Sequence, residues 1–249
     1  MPAVFSERSP LKRIPLLFFC CLLPIGTAFA GSPIAPFRAE YQTLRNGNEL
    51  ARTTIELSAN RDGTSTLRTT TLGTSGLAKM AGLDVAEESN VRWVDGRPET
   101  MNYDFRQDVA FKSKQRHGDF DWKANQVHMI DGKNEARYGL VPFTVDRHAL
   151  TLALASDLSR QSNRFNYKVA MKDAIEDVSY TSCGEEELSV PAGTFSTRCL
   201  ERVRDKRTSR SWFEGSNGWI PVQIEQVEKK GDTITLRLVS IEHPAQGQP

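Results

Sequence analysis

The residues able to do chemistry are few and scattered. Four histidines, His117, His128, His148 and His243, share no spacing that a metal site uses, and each reads as a surface or helix-face residue. Glu185-Glu186-Glu187 puts three carboxylates in a row. In a strand, alternation sends the outer two to one face and the middle one to the other, so the run reads as a charged edge that resists pairing. Gly73-Thr74-Ser75-Gly76 lacks the G-x-S-x-G spacing and the strand-to-helix context of a nucleophile elbow, and no S-x-x-K occurs. A pair of glycosidase carboxylates is set by separation in space, so no motif bears on it. No catalytic residue, metal or cofactor is expected from these patterns.

The aromatics are the stronger lead. Trp93, Trp122, Trp212 and Trp219, with Phe37, Tyr41, Tyr103, Phe105 and Phe165, have the types needed to line a concave face and hold an acyl chain or a glycan. The competing use is as packing between a sheet and a helix. Cys183 and Cys199 are expected to form a disulfide. A turn centred near Ala192 sets Cys199 opposite the region of Glu186, and strict alternation turns Cys183 to the other face. The bridge therefore needs a bulge, which Gly184 is suited to supply; without it the pair are separate thiols.

These residues sit in a pattern of short alternating strands. Asn46-Gly47, Asp62-Gly63, Asp95-Gly96 and Asp131-Gly132 are hairpin turns, and Val190-Pro191-Ala192-Gly193-Thr194 is another. Phe37 to Leu72 reads as a three-stranded meander. Gly73 to Glu88 is expected to be irregular with about one helical turn. Strand signals resume at Val91, and Val109 and Phe111 carry the alternation onward. Asp146 to Gln161 breaks the rhythm: Ala149, Leu150, Ala153, Leu154 and Leu158 fall at helical spacing, with Asp146 as N-cap and Arg160 near the C-terminal end, predicting an amphipathic helix of about four turns. The fold class is all-β with one inserted helix, in a strongly curved antiparallel sheet, half-barrel or barrel-like.

Residues 1–30 read as a secretory signal: Arg8, Lys12 and Arg13 precede an apolar run from Ile14 to Ile25 that ends at Ala28-Phe29-Ala30. Cys20 and Cys21 lie in that run without the small residues of a lipoprotein signal. Residues 31–243 are one β-rich domain and 244–249 a disordered tail. Cleavage moves the formal charge from +1 to −1, and so nearly balanced a charge offers no overall electrostatic basis for binding nucleic acid or an anionic membrane. With 25% charged and 39% apolar residues the chain is globular, and no spanning segment follows the signal.

Val190-Pro191-Ala192-Gly193-Thr194-Phe195, Trp212-Phe213, Gly218-Trp219-Ile220-Pro221-Val222 and the closing Leu236-Arg237-Leu238 resemble the DUF3108 family of exported Gram-negative bacterial proteins. The resemblance covers Phe37 to Ile241, including the helix that begins at Asp146. It implies a β-rich periplasmic domain and supplies no activity, catalytic residue or cofactor. The expectation is a non-enzymatic periplasmic protein that binds a lipid or glycan of the envelope on its curved sheet. A cell-wall hydrolase with an acidic pair and a structural assembly partner are the alternatives.

Overall fold

The computed structural model describes residues 32–216 and 218–244; residues 1–31, within which the expected secretory signal falls, Asn217 and residues 245–249 lie outside them. Among the described residues, fifteen strands form a single sheet. The first half is a meander: β1 (Phe37–Arg45), β2 (Asn48–Ala59), β3 (Ser65–Gly73), β4 (Asp84–Val94), β5 (Arg97–Val109), β6 (Lys112–Asp121), β7 (Gln126–Asp131) and β8 (Asn134–Gly139). A short helix, α1 (Gly76–Met80), interrupts it between β3 and β4. The second half comprises β9 (Thr144–Asp146), helix α2 (Leu150–Ser159), β10 (Phe165–Ala170), β11 (Ile175–Val190), β12 (Gly193–Arg204), β13 (Arg207–Glu214), β14 (Ile220–Val227) and β15 (Thr233–Glu242). The halves join where β1 pairs antiparallel with β15, with Ala39 opposite Ile241.

β9 and β10 run parallel, with Val145 opposite Val169. Parallel neighbours need a crossover, and α2 supplies it. The sheet curls so that its β9 edge lies against β5 and its β8 edge reaches the segment after β10. Thr100 of β5 and Asp146 of β9 exchange two bonds of 2.8 Å. Tyr138 of β8 donates to the Met171 carbonyl just beyond β10, at 2.6 Å.

Alternation decides which side chains enter. From β1, Phe37, Ala39 and Tyr41 point inward; from β2, Ile55 and Leu57; from the far half, Leu200, Phe213, Val222 and Leu238. They surround α2, on which Leu150, Leu152, Ala153, Leu154, Ala155, Ser156, Asp157 and Leu158 are all buried. The helix is therefore enclosed rather than amphipathic. Its alanines let it lie close to neighbouring elements, a feature the 3.6-residue spacing does not report. It also begins three residues later than expected, with Ala149 in place of Asp146 as N-cap: Asp146 ends β9, and its carboxylate accepts the His148 and Ala149 N–H groups in the turn before α2, at 2.7 and 3.0 Å. A second apolar cluster of Tyr103, Phe105, Phe120, Val127, Met129, Leu140 and Ala170 closes the other end of the interior.

Two further expectations change. The alternation does not pass through Phe111, because the chain reverses between β5 and β6 with Ala110 at φ 52°, a turn without the usual glycine. Strand β4 starts at Asp84, inside the stretch expected to be irregular.

The cysteines pair as expected. Cys199 lies opposite Gly184, the register shifts between Ser182 and Gly184, and Gly184 takes φ 113°. The bulge brings Cys183 within 5.0 Å of Cys199, Cα to Cα, in a disulfide. A bridge across 16 residues restricts the unfolded chain by about 3 kcal/mol. Cys183→Ala is expected to lose roughly that much stability in urea unfolding, and wild type should lose the same on reduction. An unchanged midpoint in both experiments would show that the bridge adds nothing.

Candidate functional site

Both ends of α2 are organised by buried polar groups. At its start, Asp146 is 1% exposed and accepts from Ser89 Oγ at 3.0 Å, Thr100 Oγ1 at 2.8 Å and the two N–H groups of the following turn. Ser89 Oγ also meets His148 Nδ1 at 2.9 Å, and His148 Nε2 meets Thr69 Oγ1 at 2.8 Å. Ser, His and Asp are thus in mutual reach, but in the wrong order for nucleophilic catalysis. A triad needs the imidazole between hydroxyl and carboxylate; here the hydroxyl lies between the other two, and Ser89 is fully buried.

Burial pushes the Asp146 carboxyl up and the His148 imidazole down, each toward its neutral form. Beside them Glu87 accepts from Tyr103 Oη at 2.5 Å and from Arg147 Nε at 2.9 Å. Burial raises the Glu87 carboxyl, but the charge of Arg147 and these bonds outweigh it and hold it below the usual range. The network positions α2 and seals the sheet at β9.

A cleft of about 560 Å³ opens at the opposite end of α2. Arg97 and Pro98 come from the start of β5, Pro142 and Phe143 from the segment before β9, Asp157 and Arg160 from the end of α2, and Asn163, Arg164 and Lys168 from the helix exit and β10. Phe143 has φ 60°, a costly conformation for a side chain of this size. It is held there by Glu99, 3% exposed, which accepts the Phe143 N–H at 2.7 Å while its other oxygen takes two bonds from Arg92, at 2.8 and 2.6 Å. The ring so presented lies under the Arg97 guanidinium, 5.0 Å from the ring centroid. Asp157 is held by Arg160 and by Tyr167 Oη, the latter at 2.9 Å. Lys168 pairs with Asp177 at 2.6 Å. Among the described residues Arg97 and Arg164 have no carboxylate partner. The cleft therefore offers two unpaired guanidinium groups above an aromatic and proline floor.

The four tryptophans occupy different places. Trp93, Trp212 and Trp219 belong to the cluster around α2; the first two are buried and donate to Ser65 Oγ at 2.9 Å and Glu186 Oε1 at 2.6 Å. Trp219, at φ 61°, packs its indole on Gly215. Trp122 packs on the second cluster, donates to the Thr100 carbonyl at 2.8 Å and carries Arg92 over its ring at 4.6 Å. They do not share one face, and none lines the cleft beside α2. The residues that do line it escaped the sequence reading. Arg97 and Arg164 come from distant segments, and the only local signal was the polar run Arg160-Gln161-Ser162-Asn163-Arg164 after the helix.

Residues 36–239 match the family described as "Protein of unknown function (DUF3108)". The chain belongs to the DUF3108 family. No curated protein matches it. The DUF3108 chain is similar in fold to a β-barrel-like protein of domain of unknown function DUF1849 from Brucella abortus: identity is 10%, the TM-score 0.51, and the match covers 84% of this chain and 98% of that one. It also matches the crystal structure of MucB at 16% identity over 86% of this chain and 55% of that one, with a TM-score of 0.36. A third match is a putative lipoprotein from Parabacteroides distasonis, at 11% identity over 85% and 97% of the two chains, TM-score 0.38. The fold likeness rests on the first. Among the described residues no helix is long and apolar enough to cross a membrane, and no group of His, Cys, Asp and Glu is placed to hold a metal ion.

Proposed function

We propose that this DUF3108 protein is a non-enzymatic binding protein of the bacterial periplasm, and that its ligand is an anionic, partly apolar envelope component seated in the cleft beside α2. One observation carries the reading: Arg97 and Arg164 stand without carboxylate partners around a floor of Phe143, Pro98 and Pro142, and a buried glutamate holds Phe143 in a costly backbone conformation. Guanidinium groups bind phosphate or carboxylate in two-pronged fashion, and the floor suits the apolar or sugar portion of the same molecule. The sheet interior is a poorer seat because α2 and its surrounding side chains fill it. The tryptophans serve this reading through the packing that shapes the sheet rather than by touching the ligand.

The acidic-pair hydrolase has less support. In this cleft Asp157 is paired with Arg160. In a second cleft of about 520 Å³, Glu87 pairs with Arg147, Glu88 with Arg68 and Asp104 with His117. Neither cleft offers two free carboxylates facing each other.

The mature protein, isolated from its own envelope without detergent exchange, is expected to carry an anionic amphiphile seen by native mass spectrometry and released by organic extraction. Arg97→Ala/Arg164→Ala should retain less than about one tenth of it, since each charge-assisted contact is worth about 1.5 to 3 kcal/mol. A protein that emerges with nothing bound, or a double variant loaded like wild type, would overturn the proposal.

A further inference from the structure

A different part of the molecule carries apolar side chains into solvent. Leu77 and Met80 of α1 are 81% and 84% exposed, and Phe111, at the tip of the β5–β6 hairpin, is fully exposed. Leu77 and Met80 are three residues apart on one helix face. The Ala110 N–H donates to the Ala81 carbonyl at 2.6 Å, tying the hairpin tip that carries Phe111 to the residue that follows Met80. Three exposed apolar side chains thus rise from two segments that this bond joins.

The platform beneath it is built. Ala78 is buried against Gly73, where an added Cβ would come within 2.6 Å of the Ala78 carbonyl oxygen. The Leu83 N–H donates to Ala78 O at 3.0 Å, Gly73 N–H to Leu83 O at 2.8 Å, and Thr74 N–H to Leu50 O at 3.1 Å. A fold that fixes a five-residue helix this firmly while holding Leu77, Met80 and Phe111 in water has placed them for an apolar medium outside the molecule.

The charges around the patch identify that medium. Lys79 lies within α1, Lys112 follows Phe111, and Lys114 reaches over the Phe105 ring at 5.9 Å; none of the three has a carboxylate partner among the described residues. The nearby carboxylates Asp84 and Asp108 are both paired with Arg106. Glu49 takes hydrogen bonds from Thr74 and Gln42. Apolar side chains ringed by unpaired lysines match the interface of an anionic bilayer, where rings and aliphatic chains enter the acyl boundary and ammonium groups meet phosphates.

We propose that the α1 platform and the β5–β6 tip dock this protein on an anionic membrane surface. The patch and the ligand cleft lie at opposite ends of β4 and β5, a separation of roughly 35 Å along eleven residues of β4. Docking therefore leaves the cleft facing away from the bilayer, and the inference does not depend on the cleft having a ligand.

The test is flotation of the mature protein with vesicles of phosphatidylethanolamine and phosphatidylglycerol, against vesicles of phosphatidylcholine alone. Wild type is expected to float with the anionic vesicles, less so at high salt, and to stay behind with the zwitterionic ones. Leu77→Ser/Met80→Ser/Phe111→Ser should bind at least tenfold more weakly with an unchanged circular dichroism spectrum, and Lys79→Gln/Lys112→Gln should lose the preference for anionic lipid. Arg97→Ala/Arg164→Ala should float like wild type. Wild type that never floats, or a triple variant that floats as well as wild type, overturns the proposal. So does self-association abolished by the triple variant without vesicle binding, which would assign the patch to a second copy of this chain.

Discussion

Asp146→Ala is expected to lower the free energy of unfolding by about 3 to 5 kcal/mol, measured as a shift of the urea midpoint at unchanged slope. The size follows from the number of donors that converge on one carboxylate. Ser89 Oγ, Thr100 Oγ1 and the N–H groups of His148 and Ala149 all point at it, from 2.7 to 3.0 Å, in a site that is 1% exposed. Alanine removes the acceptor and admits no water to replace it, so each donor keeps its desolvation cost without its bond. The loss is also concentrated at a joint: Asp146 fastens β9 to β5 and sets the turn that feeds α2. Against this stands the cost of burying the carboxylate, which raises its pKa and is relieved by the substitution. Asp146→Asn keeps one acceptor oxygen and should lose less, about half as much. An alanine variant within about 1 kcal/mol of wild type would mean that the cost of burying the carboxylate cancels its four bonds, and that the closure of the sheet rests on packing alone.

How much of this was legible in the sequence depends on how local the cause was. Asn46-Gly47, Asp62-Gly63, Asp95-Gly96 and Asp131-Gly132 each end as a hairpin because Gly47, Gly63, Gly96 and Gly132 take positive φ, a requirement written in two adjacent residues. The bulge at Gly184 was readable because alternation would otherwise have put Cys183 on the wrong face. The turn at Ala110 was not, since no residue type announces it and the alternation on either side hides it. Nor was the enclosure of α2: its spacing is helical, and whether the second face meets water or the curled sheet is settled only once the whole sheet has curled. The same holds for the candidate cleft. Glu99, Phe143 and Arg164 are ordinary residues until the crossover from β9 to β10 carries the end of α2 against the β4–β5 turn. The tryptophans show the converse: their type suggested one concave ligand face, with core packing as the competing use, but their places in β4, the β6–β7 turn, β13 and the turn before β14 follow a strand register that composition does not contain.

The filled interior is itself open to a direct test, and the location of the ligand depends on the result. Leu158 on α2 has no exposed surface and belongs to the cluster that includes Leu152, Leu154, Val145 and Phe165. In a close-packed site Leu158→Ala loses both the transfer free energy of the removed atoms and the contacts of the void left behind, about 2 to 5 kcal/mol in all. Leu77→Ala on the exposed face of α1 is the matched control, since a side chain already in water forfeits little on truncation, and it should stay within about 0.5 kcal/mol of wild type. A drop near the upper end of the range would mean that strand and helix side chains interdigitate with no room for an acyl chain, leaving the cleft of Arg97, Phe143 and Arg164 as the better seat. A drop below about 1 kcal/mol would show that the space around α2 yields easily. In that event an apolar ligand would have a route between helix and sheet, and the cleft would be its entrance instead of its seat.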